Sequence, residues 1–225
     1  MKRIAVIPAR GGSKRIAHKN IRQFCGAPII SYAIEAALKS WLFDEIIVST
    51  DDEKIAEVAR SYGAATPFMR PAELSGDHAP IVPVVAHAID SIGGCDEACL
   101  IYATAPFVKS EDLISAANIL GENDFILSIA AFEYPIFRAL KIDGNNAVSS
   151  IWKEYEQTRS QDTETAYHDA GQFCYGKAKS FLESRSIFNG KTVGVVIDKK
   201  RVQDIDTIED WERAEAMFIA LKEGR

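Results

Sequence analysis

The chain has 225 residues, of which 47% are hydrophobic and 26% charged, and its formal net charge at pH 7 is -6. This length is enough for one domain with a full-sized core, and the composition is that of a folded globular protein rather than a disordered or collagen-like one. The negative charge gives no general attraction to nucleic acid or to an anionic membrane surface, so neither is expected as a partner.

The cysteines and the first residues indicate the compartment. The four cysteines, at positions 25, 95, 99 and 174, form no C-x-x-C pair, so reduced thiols are expected rather than a zinc or redox site. The apolar run after Met1, Lys2 and Arg3 is too short for the core of a signal peptide, and no apolar run in the sequence reaches the length of a membrane span. These features predict a cytoplasmic protein.

Short apolar runs that lack strict alternation are typical of strands buried on both faces. Along the chain they alternate with segments of helical period, which predicts an α/β fold with a mostly parallel, doubly wound sheet and right-handed crossovers. The predicted strands are residues 4–7, 46–48, 99–103, 125–131 and 193–197. The predicted helices contain residues 30–38, 55–62, 81–89, 113–120 and 208–218.

Between residues 133 and 190 this alternation stops, and polar and aromatic residues take its place. We interpret the chain as a single domain, residues 1–225, with an insertion at about 133–190 that serves as a lid or as a dimerisation arm. In open sheets of this kind, ligands bind at the carboxyl ends of the strands. The loops that follow the predicted strands are therefore expected to carry the site.

The loop after the first predicted strand, residues 8–20, carries five basic side chains, two adjacent glycines and a serine. Glycines let backbone N–H groups turn toward an anion, while arginine can bind two phosphate oxygens and lysine adds a mobile charge. The loop is therefore predicted to bind phosphate, although a solvated basic loop has the same composition. It matches neither G-x-x-x-x-G-K-[ST] nor G-x-G-x-x-G, which argues against a P-loop NTPase and a dinucleotide-binding oxidoreductase.

A second cluster, Asp204-Ile205-Asp206-Thr207, precedes the last predicted helix. In an extended chain, side chains two residues apart point the same way, so Asp204 and Asp206 can share a cation. A small number of hard oxygen ligands suits Mg2+ that also binds substrate phosphates. The alternative is that one of these residues caps the helix.

Three further segments contain candidate polar residues. Residues 49–53, with the sequence Ser-Thr-Asp-Asp-Glu, are interpreted mainly as the cap of the second helix. Arg70 lies in a loop that can bring a second cation to a nucleotide, although an isolated arginine is more often a surface residue. Residues 167–173, Tyr-His-Asp-Ala-Gly-Gln-Phe, combine polar donors with aromatic rings as a sugar-binding wall does.

Together these segments resemble the CMP-nonulosonate synthetases, the cytidylyltransferases that activate sialic acid and its bacterial relatives. The resemblance covers nearly the whole chain. It is carried, in the same order, by residues 7–14 (Ile-Pro-Ala-Arg-Gly-Gly-Ser-Lys) with Lys19-Asn20, 48–52 (Val-Ser-Thr-Asp-Asp), 70–74 (Arg-Pro-Ala-Glu-Leu), 104–106 (Thr-Ala-Pro) and 204–207 (Asp-Ile-Asp-Thr). It implies a nucleotide-diphospho-sugar transferase (Rossmann-like) fold and a homodimer.

Within that family, the chain is most similar to the branch that activates pseudaminic acid. Sialate enzymes usually carry Leu-Gln-Pro-Thr-Ser-Pro after the fourth strand, whereas here residues 101–106 are Ile-Tyr-Ala-Thr-Ala-Pro, so Tyr102 replaces a glutamine associated with the sugar. Residues 160–162 and 166–173 also resemble this branch. Ala17-His18 departs from the commoner pair of a proline and a basic residue, which bears on the rigidity of the loop.

The resemblance implies that the anomeric hydroxyl of a nine-carbon sugar acid, pseudaminic acid, attacks the α-phosphorus of CTP and releases pyrophosphate. It implies Arg10, Lys19 and Asp206 as catalytic residues. The residues implied at the nucleotide are Arg10, Gly11, Gly12, Ser13, Lys19, Asn20 and Arg70, those at the sugar are Tyr102, Gln161, His168 and Phe173, and those at Mg2+ are Asp204 and Asp206. The alternatives are a synthetase of CMP-sialate, CMP-legionaminate or CMP-Kdo and, in a different class, a non-catalytic nucleotide-binding protein.

Overall fold

A computed structural model describes residues 1–188 and 190–224; Asn189 and Arg225, which fall within the predicted insertion and domain, lie outside the described residues. The strands are β1 (Arg3–Pro8), β2 (Gln23–Phe24), β3 (Ala27–Pro28), β4 (Glu45–Ser49), β5 (Glu97–Ile101), β6 (Phe125–Ala131), β7 (Leu140–Ile142), β8 (Val148–Ser150), β9 (Tyr167–Lys177) and β10 (Thr192–Val196). The helices are α1 (Ile29–Ser40), α2 (Glu53–Ser61), α3 (Ile81–Ser91), α4 (Ser110–Ile119), α5 (Ala178–Leu182) and α6 (Ile208–Lys222).

The central sheet has six strands in the order β10–β6–β9–β5–β1–β4. β1 pairs in parallel with β4 and β5, and β6 pairs in parallel with β10, whereas β9 runs antiparallel between β5 and β6. Each predicted strand and helix is present, so the prediction of a mostly parallel α/β sheet is confirmed. Because the parallel strands are joined by helical crossovers, their carboxyl ends meet at one edge of the sheet.

The sheet is buried on both faces, as its unalternating apolar strands require. In β1, Ala5 and Ile7 belong to the core cluster shared with α1, α2 and α4, while Ile4 and Val6 belong to the cluster shared with α3 and α5. A third cluster packs α6 against residues around β2, with Phe24 among its members. This packing brings the segment before α6 next to the loop after β1. No helix within residues 1–188 and 190–224 is long and apolar enough to cross a membrane.

The region of the predicted insertion, about 133–190, contains two kinds of structure. β7 and β8 form a separate two-stranded sheet whose side chains are mostly exposed. β9, by contrast, lies in the middle of the central sheet and is largely buried from Ala170 to Gly176. The exposed two-stranded sheet of this region therefore precedes β9, and the short helix α5 follows it. Polar residues such as Asp169 and Gln172 interrupt the apolar pattern of β9, which is why the sequence did not predict it.

Candidate active site

A pocket of about 260 Å3 lies at the carboxyl edge of the sheet. Its walls come from the loop after β1, the segment between α2 and α3 with the start of α3, the residues after β5 and the segment before α6. It brings together residues that the sequence predicted separately, and its polar lining includes Arg10, Ser13, Lys14, Arg15, Lys19, Asn20, Arg70, Asp77, Tyr102, Thr104 and Asp206. This location agrees with the rule that open α/β sheets bind ligands beyond the carboxyl ends of their strands.

The backbone of the loop after β1 is held in place by neighbouring side chains. Asn20 Nδ2 donates to Arg10 O at 2.9 Å, and Gly11 N donates to Asp51 Oδ1 at 2.9 Å. A Cβ on Gly11 would lie 2.6 Å from Asp52 Oδ2 and 2.8 Å from Asp52 Cβ, so a larger residue at this position would clash with Asp52. Gly12 has open space around it, and Ser13 lines the pocket. The loop therefore presents its basic side chains from a braced backbone.

Two of these basic side chains share one carboxylate, that of Asp77. Arg10 Nη1 donates to Asp77 Oδ1, and Lys14 Nζ forms an ion pair with Asp77 Oδ2. The hydrogen bonds from Lys14 and Arg10 lower the pKa of Asp77 from its ordinary value of 3.8 to about 2. Asp77 is therefore ionised at neutral pH. No sequence pattern indicates this residue, because it lies far from Arg10 along the chain and matches no motif.

Two further basic side chains, those of Arg15 and Lys19, share the carboxylate of Asp206. Arg15 Nη1 lies 3.1 Å from Asp206 Oδ2, and Lys19 Nζ lies 3.4 Å from Asp206 Oδ1. Lys19 Nζ also donates to the backbone oxygen of Ile205 at 2.7 Å. The basic loop and the acidic segment before α6, which the sequence predicted as two clusters, thus form one site.

Thr207 caps α6, and helix capping was the alternative interpretation of the acidic segment. Thr207 Oγ1 accepts a hydrogen bond from Asp210 N at 3.2 Å, and Asp210 Oδ2 accepts one from Thr207 N at 2.9 Å, which completes a capping box. The carboxylates of Asp204 and Asp206 are therefore not used as caps. They flank the buried Ile205, as alternate residues of an extended chain do.

The donor set of Asp204 and Asp206 fits a cation that takes few protein ligands. Within the described part of the chain, no group of three or more His, Cys, Asp or Glu side chains could hold a metal ion. A structural zinc or calcium site, which takes more ligands from the protein, does not fit these residues. Mg2+ fits, because it binds through one or two carboxylates together with substrate phosphates and water.

Residues 49–53 combine capping with a contact to the site. Asp52 Oδ1 accepts from Lys54 N at 2.8 Å and caps α2, as predicted. Asp51, one residue earlier, instead contacts Gly11 N, and its Oδ1 lies 3.8 Å from Arg70 Nη2. The sequence did not distinguish these two aspartates, since both are good capping residues.

Arg70 is a buried residue of the pocket rather than a surface arginine. It is only 6% exposed, and its Nε and Nη2 have no hydrogen-bond partner among the described residues. Burial lowers the pKa of its guanidinium, the nearby Asp51 opposes this, and Arg10 adds to it. A buried N–H without an acceptor costs free energy, so a ligand that offers oxygen acceptors fits here.

Tyr102 lines the pocket at the end of β5, and its side chain is largely buried. Burial raises the pKa of its hydroxyl, and the nearby carboxylates of Asp169 and Asp204 raise it further. The Tyr102 hydroxyl is therefore neutral and can act as a hydrogen-bond donor. Asp169 is a half-buried carboxylate at the start of β9 that the sequence did not single out.

The other three candidate sugar residues are not part of the pocket lining. Gln161 lies on an exposed 3-10 turn, Ser160–Asp162, before β9. The His168 ring packs against Phe132 with a centroid distance of 4.9 Å and lines a separate hollow. The prediction that Phe173 contacts the sugar is wrong. Phe173 is 0% exposed in the core of the sheet, so it has no surface that could contact a sugar.

Comparisons with known proteins identify the family of the chain. The cytidylyltransferase family model matches residues 4–215. The chain is 44% identical over 224 residues to the pseudaminic acid cytidylyltransferase of one strain of Campylobacter jejuni, with 97% of each protein covered. It is 43% identical to the protein of the same name from a second strain, also with 97% of each covered.

A solved structure extends the comparison to the fold. CMP:2-keto-3-deoxy-manno-octonic acid synthetase complexed with CTP matches with a TM-score of 0.72 over 98% of this chain and 100% of that one, at 17% sequence identity. This identity supports a shared fold and no more. With the family match over most of the chain, the full-length similarity and the cationic pocket at the carboxyl edge, the chain belongs to the cytidylyltransferase family of enzymes.

Proposed function

We propose that this enzyme transfers CMP from CTP to the anomeric hydroxyl of pseudaminic acid, giving CMP-pseudaminic acid and pyrophosphate. In this reaction the sugar oxygen forms a bond to the α-phosphorus, the bond from that phosphorus to the β-phosphate oxygen breaks, and the hydroxyl proton passes to solvent. The observation that carries the proposal is the full-length similarity of 44% to a pseudaminic acid cytidylyltransferase. The charges and contacts of the pocket support it.

The basic loop supplies the triphosphate site. Phosphoryl transfer depends mainly on positioning and on neutralising negative charge. Arg10 and Lys19 line the pocket from two ends of the loop and neutralise the phosphates, while Ser13 and the backbone N–H of Gly12 add hydrogen bonds. The N–H of Gly11 is already bound by Asp51, so Gly11 contributes by bracing the loop. Because Asn20 and Asp51 brace the backbone, little reorganisation of the loop is needed when the nucleotide binds.

Arg70 and Asn20 lie at the nucleoside. Two buried nitrogens of Arg70, which have no hydrogen-bond partner within the described part of the chain, are donors that the ribose or the base can use. Asn20 Nδ2 already donates to Arg10 O, so its role is to orient the loop beside the nucleoside.

Asp204 and Asp206 would hold Mg2+. Bound there, the ion would supply positive charge that stabilises the charge developing during phosphoryl transfer. Asp206 is paired with Lys19 and Arg15, so these side chains orient its carboxylate toward the pocket. Lys19 also fixes the backbone of the acidic segment through Ile205 O. Lys19 thus couples the triphosphate loop to the segment that binds the metal.

The sugar is bound beside Tyr102, whose neutral hydroxyl donates a hydrogen bond. Gln161 and His168 lie outside the pocket of one chain, so they reach the sugar only if the region before β9 moves or if a second chain contributes them. We propose a homodimer in which β7 and β8 contact the partner. These strands expose Leu140, Ile142 and Val148, which are 62–64% exposed. Since CTP is the co-substrate, the enzyme works in the cytoplasm.

A pyrophosphate-release assay with CTP, Mg2+ and a panel of sugar acids tests the proposal. We expect rapid release with pseudaminic acid and slow release with sialic, legionaminic and eight-carbon acids, because the pocket carries Tyr102 where sialate enzymes carry glutamine. A preference for another acid would replace the substrate but keep the enzyme class. No release with any acid, together with tight CTP binding, would identify a non-catalytic nucleotide-binding protein. Reactions without Mg2+ and with ATP, GTP and UTP serve as controls.

A further inference from the structure

One carboxylate of the pocket has no part in the proposed reaction. Asp77 lies between the 3-10 turn Ala72–Leu74 and α3, and it lines the pocket with Arg10 and Lys14. One oxygen of its carboxylate binds Arg10 and the other binds Lys14. The same two cations face the space proposed for the triphosphate.

We propose that the Asp77 carboxylate competes with polyphosphates for Arg10 and Lys14. In the empty enzyme it binds both side chains, and it releases them when a polyphosphate binds. This competition weakens the binding of pyrophosphate. This inference rests on the proposed function, because it takes pyrophosphate to be the product. It adds a residue that sets the affinity of the site for the leaving group.

The chemistry of the contact supports this role. A carboxylate that gives one oxygen to an arginine and the other to a lysine makes the same charge-assisted contacts that phosphate oxygens make. Carboxylate and phosphate therefore compete for the same N–H donors. Since the pKa of Asp77 is about 2, the competing anion is fully charged at neutral pH.

The exposure of the contact shows that it can exchange. The side chains of Arg10 and Asp77 are 34% and 32% exposed, and that of Lys14 is 79% exposed. Ion pairs with this much contact to water are weak, so a polyphosphate with several charges can displace the carboxylate. Because Asp77 belongs to the same chain, it still competes as strongly as a free anion at an effective concentration on the order of millimolar.

Asp206 also pairs with two cations of the loop, but it does not offer a clean test of this idea. Asp206 is a proposed metal ligand, so its removal changes metal binding as well as competition for Arg15 and Lys19. Asp77 belongs to a different wall of the pocket, on the segment before α3. A change in anion affinity after its substitution therefore reports on Arg10 and Lys14.

The test is the affinity of pyrophosphate for the Asp77→Asn variant, which keeps the shape of the side chain and removes its charge. By calorimetry at neutral pH and low ionic strength without metal, we expect pyrophosphate to bind about three- to ten-fold more tightly than to the wild type, from the loss of two partly exposed ion pairs. In the forward reaction, pyrophosphate should inhibit the variant more strongly by a similar factor. Asp77→Ser is measured in the same way if Asp77→Asn does not fold.

Glu73→Gln is the matched control, because it removes one negative charge from an exposed residue of the neighbouring turn. It should change the affinity by less than about two-fold, since exposed charges at a distance are screened. Equal tightening in Glu73→Gln, or unchanged or weaker binding in Asp77→Asn, would overturn the inference. Failure of the proposed function is distinguishable: the wild type would then release no pyrophosphate with any sugar acid, while the titration of added pyrophosphate still reports on Asp77.

Discussion

Charged residues have different roles at the two edges of the central sheet, where the amino and the carboxyl ends of the parallel strands lie. At the amino edge, Arg3 Nε donates to Glu97 Oε2 at 2.8 Å, and Tyr175 Oη donates to the same oxygen at 2.5 Å. At the carboxyl edge, Arg10 and Lys19 pair with carboxylates from distant loops. The amino-edge residues lie on neighbouring strands, so the register of the sheet fixes their positions.

The polar side chains of the two edges also differ in how deeply they are buried. The Tyr175 ring is 0% exposed, and burial together with Glu97 raises the pKa of its hydroxyl. The Asp206 side chain, in contrast, is 41% exposed, and its partners can exchange it for other charges. A polar contact fixed by strands stabilises the fold, whereas one made by loops at the strand ends remains available to a ligand. The following changes test this difference.

The largest effect is expected for Asp206→Ala. Turnover should fall by about a thousand-fold or more, because the charge neutralisation that a metal ion provides is worth several kcal/mol. The melting temperature should stay within a few degrees of the wild type, since Thr207 and Asp210 cap α6 without Asp206. Steady-state kinetics and thermal unfolding measure the two quantities. Glu209→Ala, an exposed change in the first turn of α6, should leave activity intact. Activity within a few-fold of wild type in Asp206→Ala would remove Asp206 from the metal site.

The second effect is expected for Lys19→Ala. We expect a loss of about a hundred-fold in kcat/KM, which is typical when one preorganised contact to transition-state charge is removed. The reason is that Lys19 serves both the triphosphate and the backbone of the acidic segment. Lys200→Ala removes an exposed lysine close to that segment in sequence and is the control. Equal losses in the two variants would show that only the net charge matters.

A smaller effect is expected for Tyr102→Gln, the carboxyl-edge counterpart of a change at Tyr175. The ratio of kcat/KM for pseudaminate to that for sialate should fall by about ten-fold, because one hydrogen-bonding side chain in a pocket discriminates by about this factor or more. Competition assays with both sugar acids measure the ratio. Tyr175→Phe should leave the ratio unchanged. An unchanged ratio in Tyr102→Gln would take Tyr102 out of substrate selection.

The smallest effect on activity is expected for Glu97→Ala at the amino edge. The free energy of unfolding should fall by about 1–3 kcal/mol, because the buried Tyr175 hydroxyl loses its acceptor, while kcat stays near the wild-type value. Denaturant titration measures the stability. The double variant Glu97→Ala/Tyr175→Phe should lose less than the sum of the single losses, since it removes both hydrogen-bond partners. Additive losses, or a large loss of kcat, would contradict the division between the two edges.

The sequence by itself determined the fold class and the positions of most elements. Apolar runs and helical periods are local patterns, and the strands and helices they predict are all present. The caps at Asp52 and Thr207 were likewise predictable from a few neighbouring residues. β9 was not, because polar residues such as Asp169 and Gln172 interrupt its apolar pattern.

Only the tertiary structure decided which polar residues meet. Lys19 contacts Ile205, 186 residues away, and Arg10 contacts Asp77, 67 residues away. Such contacts depend on the order of the strands and on the packing of α6, which no local pattern encodes. The same fold buried Phe173 in the core, although the polar residues Asp169 and Gln172 lie close to it in sequence. The basic loop and Asp206 were visible in the sequence, but the pairing of the loop with Asp77 and Asp206 exists only because the fold brings the carboxyl ends of the strands to one edge.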